Sequence, residues 1–309
     1  MTEIQKYLAE EVAEDLADGI ITRREAMRRL GLLGVTGAAA SGLLAAFASA
    51  PAPAAKRKRR RGGTETDWAA VATVPITFAG PRGTLMAAWA EAEKPRGGVL
   101  VIHENRGLTE HIRTVAGRFA ASGYSALALD LLSEEGGTGA FPGEAEVAAA
   151  LAAIDPTRFD ADMQAGVTEL DRRVRSRNLC AIGFCFGGGM IWRLLASGEK
   201  RLDAAAPIYG PFPTGGDLRG ARAAVLGVYG GLDARVNASM PAAKAALEAA
   251  RLKHELLTFT DADHAFFNDT GARFNPHAAA EAWRRTLNWF DAAGDHDHGH
   301  GHHRGHDDD

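Results

Sequence analysis

The most constraining feature of this sequence is an alternation of short apolar stretches with amphipathic ones, which begins near Val74. Eight stretches have the length and apolar character of strands: 75–78, 84–90, 98–103, 125–130, 178–183, 204–209, 223–229 and 254–260. The stretch Val-Leu-Val-Ile at 99–102 has no polar alternation, which is typical of a central parallel strand covered on both faces. The pattern predicts a three-layer α/β/α sandwich with a mostly parallel sheet of roughly eight strands that starts with a hairpin.

Amphipathic segments between these stretches predict the helical layers. Thr109 is a candidate N-cap for a helix in which Ile112, Val115 and Phe119 share one face. The stretch 276–293 carries a similar apolar stripe. Because ligands bind at the carboxyl ends of the strands in such sheets, we expect the chemistry just after each strand.

Composition narrows the class of protein. The chain has 309 residues, of which 46% are hydrophobic and 24% charged, so one large globular domain is expected. A net charge of −4 gives no global field that would recruit nucleic acid or an anionic membrane. The only cysteines, Cys180 and Cys185, are too few for a disulfide framework. Small neutral or weakly anionic partners fit best.

A glycine-rich turn follows the strand predicted at 178–183. Its sequence, Gly-Phe-Cys-Phe-Gly at 183–187, is the thiol counterpart of a nucleophile elbow, in which a strained residue projects its reactive atom from the sheet. The helix that begins there supplies free N–H groups and a positive dipole end, which lower a thiol pKa and stabilise an oxyanion. A buried structural cysteine is the alternative. That alternative fits Cys180 inside the strand, whereas Cys185 is the candidate nucleophile.

Two further residues follow strands in the order that an elbow nucleophile requires. Asp233 lies in the loop after 223–229, and His264 lies in the loop after 254–260. Taken singly, such an aspartate is usually a cap and such a histidine incidental. Three candidates at three strand ends, in the order nucleophile, acid, histidine, favour a catalytic triad of Cys185, Asp233 and His264.

From about 74 to 293 the chain resembles the dienelactone hydrolase family of the α/β-hydrolase superfamily. The resemblance is carried by His-Glu-Asn-Arg-Gly-Leu at 103–108, Gly-Phe-Cys-Phe-Gly-Gly at 183–188, Gly-Leu-Asp at 231–233 and Asp-His-Ala-Phe at 263–266. It implies the same Cys-Asp-His triad and a contact of Glu104 with the resting Cys185. It also implies an oxyanion hole formed by the backbone N–H groups of Phe186 and Asn105.

The chemistry of these groups predicts the class of substrate. A carboxylate at Glu104 would disfavour the thiolate of Cys185 and protect it from oxidation, although an ordinary surface glutamate is the alternative. Cys185 would attack an ester carbonyl, and His264 would activate the water that releases the acyl-thioenzyme. Because a thiolate itself leaves easily, we expect small activated esters or enol lactones as substrates. A thiol in the elbow argues against peptidase or haloperoxidase chemistry.

The sequence departs from the family pattern after the histidine. Family members that process a carboxylated lactone are expected to hold the carboxylate with arginines, one of them shortly after the histidine. Here Ala-Phe-Phe-Asn-Asp follows at 265–269, and no arginine comes before Arg273. The candidates for substrate binding are therefore Arg106, Arg273 and Tyr209, the last at the end of the strand 204–209. A substrate without a carboxylate is the alternative.

Residues 1–50 resemble a twin-arginine export signal rather than part of the fold. Arg23 and Arg24 precede a Gly/Ala/Leu-rich run at 30–50 that ends in Ala-Ser-Ala, a possible cleavage point. The prediction is a periplasmic protein that uses export machinery and keeps no stable membrane span after cleavage. The alternative is an N-terminal anchor in the inner membrane, since the run is about long enough to span it.

Two further segments flank the predicted domain at 67–293. Residues 51–66 contain six consecutive basic residues at 56–61, which predict a solvated, disordered linker. The tail at 294–309 carries His296, His298, His300, His302, His303 and His306. We expect weak, adventitious metal binding there, with an expression tag as the alternative, and neither a metal nor a cofactor in catalysis. The non-enzymatic alternative is an exported protein that buffers metal or binds a ligand on a hydrolase fold.

Overall fold

The computed structural model describes residues 1–48, 68–175 and 178–294. The described strands are β1 (Val74–Ala79), β2 (Thr84–Ala90), β3 (Gly97–Ile102), β4 (Tyr124–Asp130), β5 (Asn178–Phe184), β6 (Ala204–Ile208), β7 (Ala224–Gly230) and β8 (His254–Phe259). The described helices are α1 (Glu3–Ala17), α2 (Arg23–Leu32), α3 (Gly37–Ala48), α4 (Glu110–Ala121), α5 (Glu144–Ala153), α6 (Pro156–Val174), α7 (Phe186–Ala196), α8 (Ala234–Asn237), α9 (Met240–Ala250) and α10 (Pro276–Gly294). The basic block and the six tail histidines lie outside the described residues.

The strands form one sheet in the order β1-β2-β4-β3-β5-β6-β7-β8. The pairs β1–β2 and β2–β4 are antiparallel, and every pair from β4 to β8 is parallel. All six residues of β3 are buried, as the unbroken apolar stretch predicted. With helices flanking the sheet, the predicted α/β-hydrolase architecture and its eight strands are confirmed.

The parallel register brings the segments that carry the candidate residues to one edge of the sheet. Ile102 at the end of β3 pairs with Gly183 near the end of β5, and Gly230 at the end of β7 pairs with Phe259 at the end of β8. The loops after β3, β5, β7 and β8 therefore leave the sheet side by side. These loops carry the candidates from Glu104 to His264.

Residues 3–48 differ from the sequence-based expectation that they are not part of the fold. They form α1, α2 and α3, and α1 places Ile4, Leu8 and Val12 on one buried face. The helix begins at Thr2 with a capping box that includes Gln5. This amphipathic period of three to four residues favours a packed helix. In the described part of the chain, no helix combines the length and apolarity needed to cross a membrane.

Candidate active site

The turn between β5 and α7 holds Cys185 in a strained backbone conformation, with φ 57° and ψ −120°. A Cβ at Gly183 would lie 2.1 Å from the carbonyl oxygen of Gly187, and a Cβ at Gly187 would lie 2.4 Å from that of Ile102. Only glycine fits at either position. The N–H of Cys185 donates to the carbonyl oxygen of Ile208 at 3.0 Å, which ties the turn to β6. The arrangement is that of a nucleophile elbow.

A buried carboxylate and imidazole face this turn. Nδ1 of His264 lies 2.6 Å from Oδ2 of Asp233, and both side chains are fully buried. The other oxygen of Asp233 accepts the N–H of Val236 at 3.0 Å, because Asp233 is the N-cap of α8. A ring nitrogen of His264 lies within 4.8 Å of Sγ of Cys185, and Nε2 of His264 has no hydrogen-bond partner in the described part of the chain. The structure thus brings together the three residues that the sequence assigned to a triad.

The electrostatics of this group follow from its burial. Burial disfavours the imidazolium, but the Asp233 carboxylate outweighs it and raises the pKa of His264 well above its usual value. Burial likewise opposes the charged form of Asp233, yet the His264 ring dominates and lowers the pKa of Asp233. Burial, together with a neighbouring Glu11 carboxylate, raises the pKa of Cys185. Burial and the Glu11 carboxylate thus both disfavour the thiolate of Cys185.

The other candidates taken from the family resemblance line the same region. Glu104 is buried, but its Oε2 accepts a hydrogen bond from Asn268 at 2.7 Å, and the carboxylate hydrogen-bonded to Cys185 is a different one. Asn105 lines a cavity together with Cys185, and Phe186 is the first residue of α7. The N–H groups of the first helical turn have no intrahelical partner, so that of Phe186 suits an oxyanion.

Helix α1 brings to Cys185 two side chains that sequence reasoning missed. The Tyr7 hydroxyl lies 3.3 Å from Sγ of Cys185, and the two carboxylate oxygens of Glu11 lie 3.5 and 3.7 Å from it. Oε1 of Glu11 is also 3.9 Å from Nε2 of His264. Tyr7 and Glu11 are four positions apart on the buried face of α1, and this spacing was the available signal.

Comparisons with known proteins identify the family. Residues 84–294 match the family described as dienelactone hydrolase. The chain belongs to the dienelactone hydrolase family. It is 32% identical to a "Putative carboxymethylenebutenolidase" of Escherichia coli O157:H7, over 66% of this chain and 80% of that protein. A protein of the same description from Saccharolobus solfataricus is 28% identical, over 63% of this chain and 89% of that protein.

A solved structure extends the likeness to the fold. It is the "Putative Dienelactone Hydrolase" of Klebsiella pneumoniae, which is 27% identical to this chain. The superposition has a TM-score of 0.61 and covers 71% of this chain and 99% of that one. As a member of this family the protein is a hydrolase. Helices α1 to α3 precede the residues that match the family.

The predicted substrate-binding residues of this dienelactone hydrolase family member have partners already. Arg273 pairs with Asp15 at 2.8 Å and with Asp18 at 2.6 Å, both contributed by α1 and its C-cap. Arg106 lies 3.4 Å from Glu144. Both arginines line the same cavity as Cys185, and their part in substrate binding stays a prediction.

Tyr209, the third substrate-binding candidate, is fully buried next to His264. Its ring packs edge-on against His264, with 5.4 Å between ring centroids, and against Phe266 at 5.3 Å. It also has a positive φ of 36° at the end of β6. Tyr209 thus packs against the His264 ring, and its part in substrate binding stays a prediction.

The cavity at Cys185 is small while α1 is seated. Its volume is about 60 Å³, and its walls come from α1, α2, α5 and the loops after β3, β5 and β8. Glu11, Cys185 and His264 present donor atoms within 4.8 Å of one another, and these are atom types that bind zinc. Cys185 and His264 are also residue types that carry out acyl transfer.

Proposed function

We propose that this protein hydrolyses small activated esters or lactones through Cys185, with an acyl-thioenzyme intermediate. The observation that carries the proposal is the buried pair of His264 and Asp233, 2.6 Å apart, with a ring nitrogen of His264 within 4.8 Å of the thiol on the elbow. The names of the relatives, carboxymethylenebutenolidase and dienelactone hydrolase, support a lactone or ester as the substrate.

The first half of the reaction forms the thioester. The Cys185 proton passes to Nε2 of His264, and the thiolate attacks the carbonyl carbon of the substrate. The carbonyl oxygen becomes an oxyanion that accepts hydrogen bonds from the N–H groups of Phe186 and Asn105. When the tetrahedral adduct collapses, the ester oxygen leaves and takes the proton from His264. In a lactone the leaving oxygen stays attached to the acyl group.

The second half regenerates the thiol. His264 removes a proton from a water molecule, which attacks the thioester carbon and restores the oxyanion. Collapse expels the thiolate, which regains the proton from His264, and the carboxylic acid is released. Asp233 keeps the imidazole in the tautomer that has a free Nε2 and stabilises its charged form.

The same chemistry limits the substrates. In the tetrahedral adduct the thiolate competes with the substrate's own leaving group, so the reaction proceeds only when that group leaves about as easily. Aryl esters and enol lactones meet this condition as they stand, whereas the amine of an amide leaves only after its nitrogen is protonated. We therefore expect turnover of p-nitrophenyl acetate and enol lactones and none of peptides.

A matched pair of cysteine variants tests the proposal. Cys185→Ala should lose at least 10³-fold in kcat/KM for p-nitrophenyl acetate, because both half-reactions pass through its sulfur. Cys180→Ala removes the other buried thiol, five residues earlier in β5, and should stay within a few fold of the wild type. If Cys185→Ala keeps full activity, the nucleophile is a different group.

Export of the protein to the periplasm is a separate proposal. Its support is the exposed pair Arg23 and Arg24 ahead of the Gly/Ala/Leu-rich run. The double substitution Arg23→Lys and Arg24→Lys should keep the protein in the cytoplasm when cells are fractionated. An unchanged distribution would contradict the proposal, and recovery of the wild type in the inner membrane would favour an anchor instead.

A further inference from the structure

We infer that the mouth of the catalytic site is a binding site for an acidic amphipathic helix, and that α1 of the same chain occupies it and holds the hydrolase closed for as long as residues 1–48 remain attached. The inference rests on the proposed function, since closure matters only if Cys185 is the nucleophile. Three sets of contacts carry the inference. Helix α1 contacts the nucleophile, it pairs with two arginines, and it buries its apolar face against the rest of the protein.

The contacts with the nucleophile exclude a substrate. Tyr7 and Glu11 both lie within hydrogen-bonding distance of Sγ of Cys185. They occupy the space that the carbonyl group of an ester would need for attack by this sulfur. The remaining cavity, about 60 Å³, is far below the roughly 300 Å³ at the lower end of small-molecule sites. The Glu11 carboxylate also disfavours the thiolate by like-charge repulsion. Helix α1 thus blocks the access of a substrate to Cys185 and disfavours the formation of the Cys185 thiolate.

Two arginines beside the catalytic residues recognise the acidic side of the helix. Arg235, two positions after Asp233, lies 3.1 Å from Glu14 and stacks over the ring of Tyr7 at 4.6 Å. Arg273, in the loop after His264, pairs with Asp15 and Asp18. Both arginine side chains are at least nine-tenths buried. The cost of removing their charges from water is therefore offset by pairing with these carboxylates.

The apolar face of α1 supplies the rest of the contact. Ile4, Leu8 and Val12 are buried on the side that also carries Tyr7 and Glu11. Ile4 and Tyr7 also line a second cavity of about 490 Å³. Phe186 and Met190 line the same cavity. Because Tyr7 both contacts Cys185 and lines this cavity, its withdrawal would connect the cavity with the nucleophile. The space opened is within the range that small-molecule ligands occupy.

The recognised feature is therefore a helix of about three turns with an aromatic side chain near its start and four carboxylates after it. The helix that fits has Tyr at one position, Glu four later, and acidic residues at the seventh, eighth and eleventh positions after the Tyr, as α1 and its C-cap have in Tyr7, Glu11, Glu14, Asp15 and Asp18. Neutralising the last three should loosen the helix and leave the catalytic residues untouched.

The test uses the full chain with Glu14→Gln, Asp15→Asn and Asp18→Asn together. We expect at least a tenfold rise in kcat/KM for p-nitrophenyl acetate and a comparable rise in the rate at which iodoacetamide alkylates Cys185. Glu10→Gln is the matched control, because Glu10 pairs with Lys6 on the same helix. Unchanged activity and unchanged alkylation in the triple variant would overturn the inference.

A peptide in trans gives two further readouts, inhibition of turnover and direct binding, and the second needs no turnover. A peptide with the sequence of residues 1–22 should inhibit the triple variant competitively, and a fluorescent form should bind that variant carrying Cys185→Ser. The same peptide with the three acidic residues neutralised should do neither. If the peptide binds but no form of the protein cleaves an ester, the helix site stands and the proposed function fails. If esters are cleaved through Cys185 but neither the triple variant nor the peptide has an effect, the function stands and the inference fails.

Discussion

The carboxylate of Glu11 lies 3.5 Å from Sγ of Cys185, although the two residues are 174 positions apart in the chain. The contact places a negative charge from the first helix directly on the candidate nucleophile. Burial and this charge both raise the pKa of Cys185. The resting thiol is thus restrained by α1, while Glu104, the carboxylate expected in that role, is hydrogen-bonded to Asn268.

Glu11→Gln should lower the pKa of Cys185, because it removes the like charge and keeps the shape of the side chain. The pH profile of iodoacetamide alkylation in the full chain measures this pKa. Its midpoint should move to lower pH in the variant and stay in place in Glu10→Gln. A midpoint that is unchanged or moves to higher pH would show that Glu11 does not act on the thiol.

Asp233→Asn should lower kcat by about 10³- to 10⁴-fold, since the amide no longer fixes the tautomer of His264 or stabilises its charge. The same substitution should lower the pKa of His264, whose rise comes from the Asp233 carboxylate. The control is Asp263→Asn, because Asp263 accepts a hydrogen bond from the backbone N–H of His264 and its other oxygen lies 3.8 Å from Arg273, so neither contact involves the imidazole ring. An Asp233→Asn variant with wild-type kcat would remove this residue from the triad.

Gly183→Ala should destabilise the elbow by at least about 1–3 kcal/mol, since its Cβ would lie 2.1 Å from a backbone oxygen that cannot move freely. Gly139→Ala is the control, because a Cβ there has open space around it. Chemical denaturation gives both free energies of unfolding. Equal stability of the two variants would mean that the turn does not need glycine at 183.

Asp162→Asn should change how stability depends on pH. Burial raises the pKa of Asp162 to about 6 in the folded chain, above the usual range of an aspartate. An acid whose pKa is raised in the folded state binds its proton more tightly there. Its contribution to the free energy of unfolding is complete below about pH 4 and disappears as pH rises through 6. Between pH 4 and 7 the wild type should therefore lose about 1–2 kcal/mol relative to the variant. The exposed Glu248→Gln should show no such difference, and a parallel course for Asp162→Asn would contradict the expected shift.

The parts of this protein that follow from local pattern were predictable from sequence. Every strand was found within two residues, because apolar stretches such as 99–102 must be buried on both faces. The positions of Cys185, Asp233 and His264 followed because parallel strands end at one edge of the sheet.

What escaped prediction depends on contacts between distant segments. Nothing near Tyr7 in the sequence indicates that it touches Cys185, 178 positions later. The packing of α1 is not predicted, because the arginine pairs and the apolar run that follow this helix in the sequence favour an export signal. Likewise, the partners of Arg273 and Glu104 depend on which helix and loop close over the site, which no local pattern specifies.

The most direct test of a thiol hydrolase is mass spectrometry of the intact protein, quenched in acid during turnover of p-nitrophenyl acetate. An acyl-thioenzyme predicts an added acetyl group that maps to the peptide containing Cys185, forms as fast as nitrophenol is released, and is absent in Cys185→Ala. Turnover by Cys185→Ala at the wild-type rate, or an acetyl group that maps to any other residue at that rate, would contradict the account.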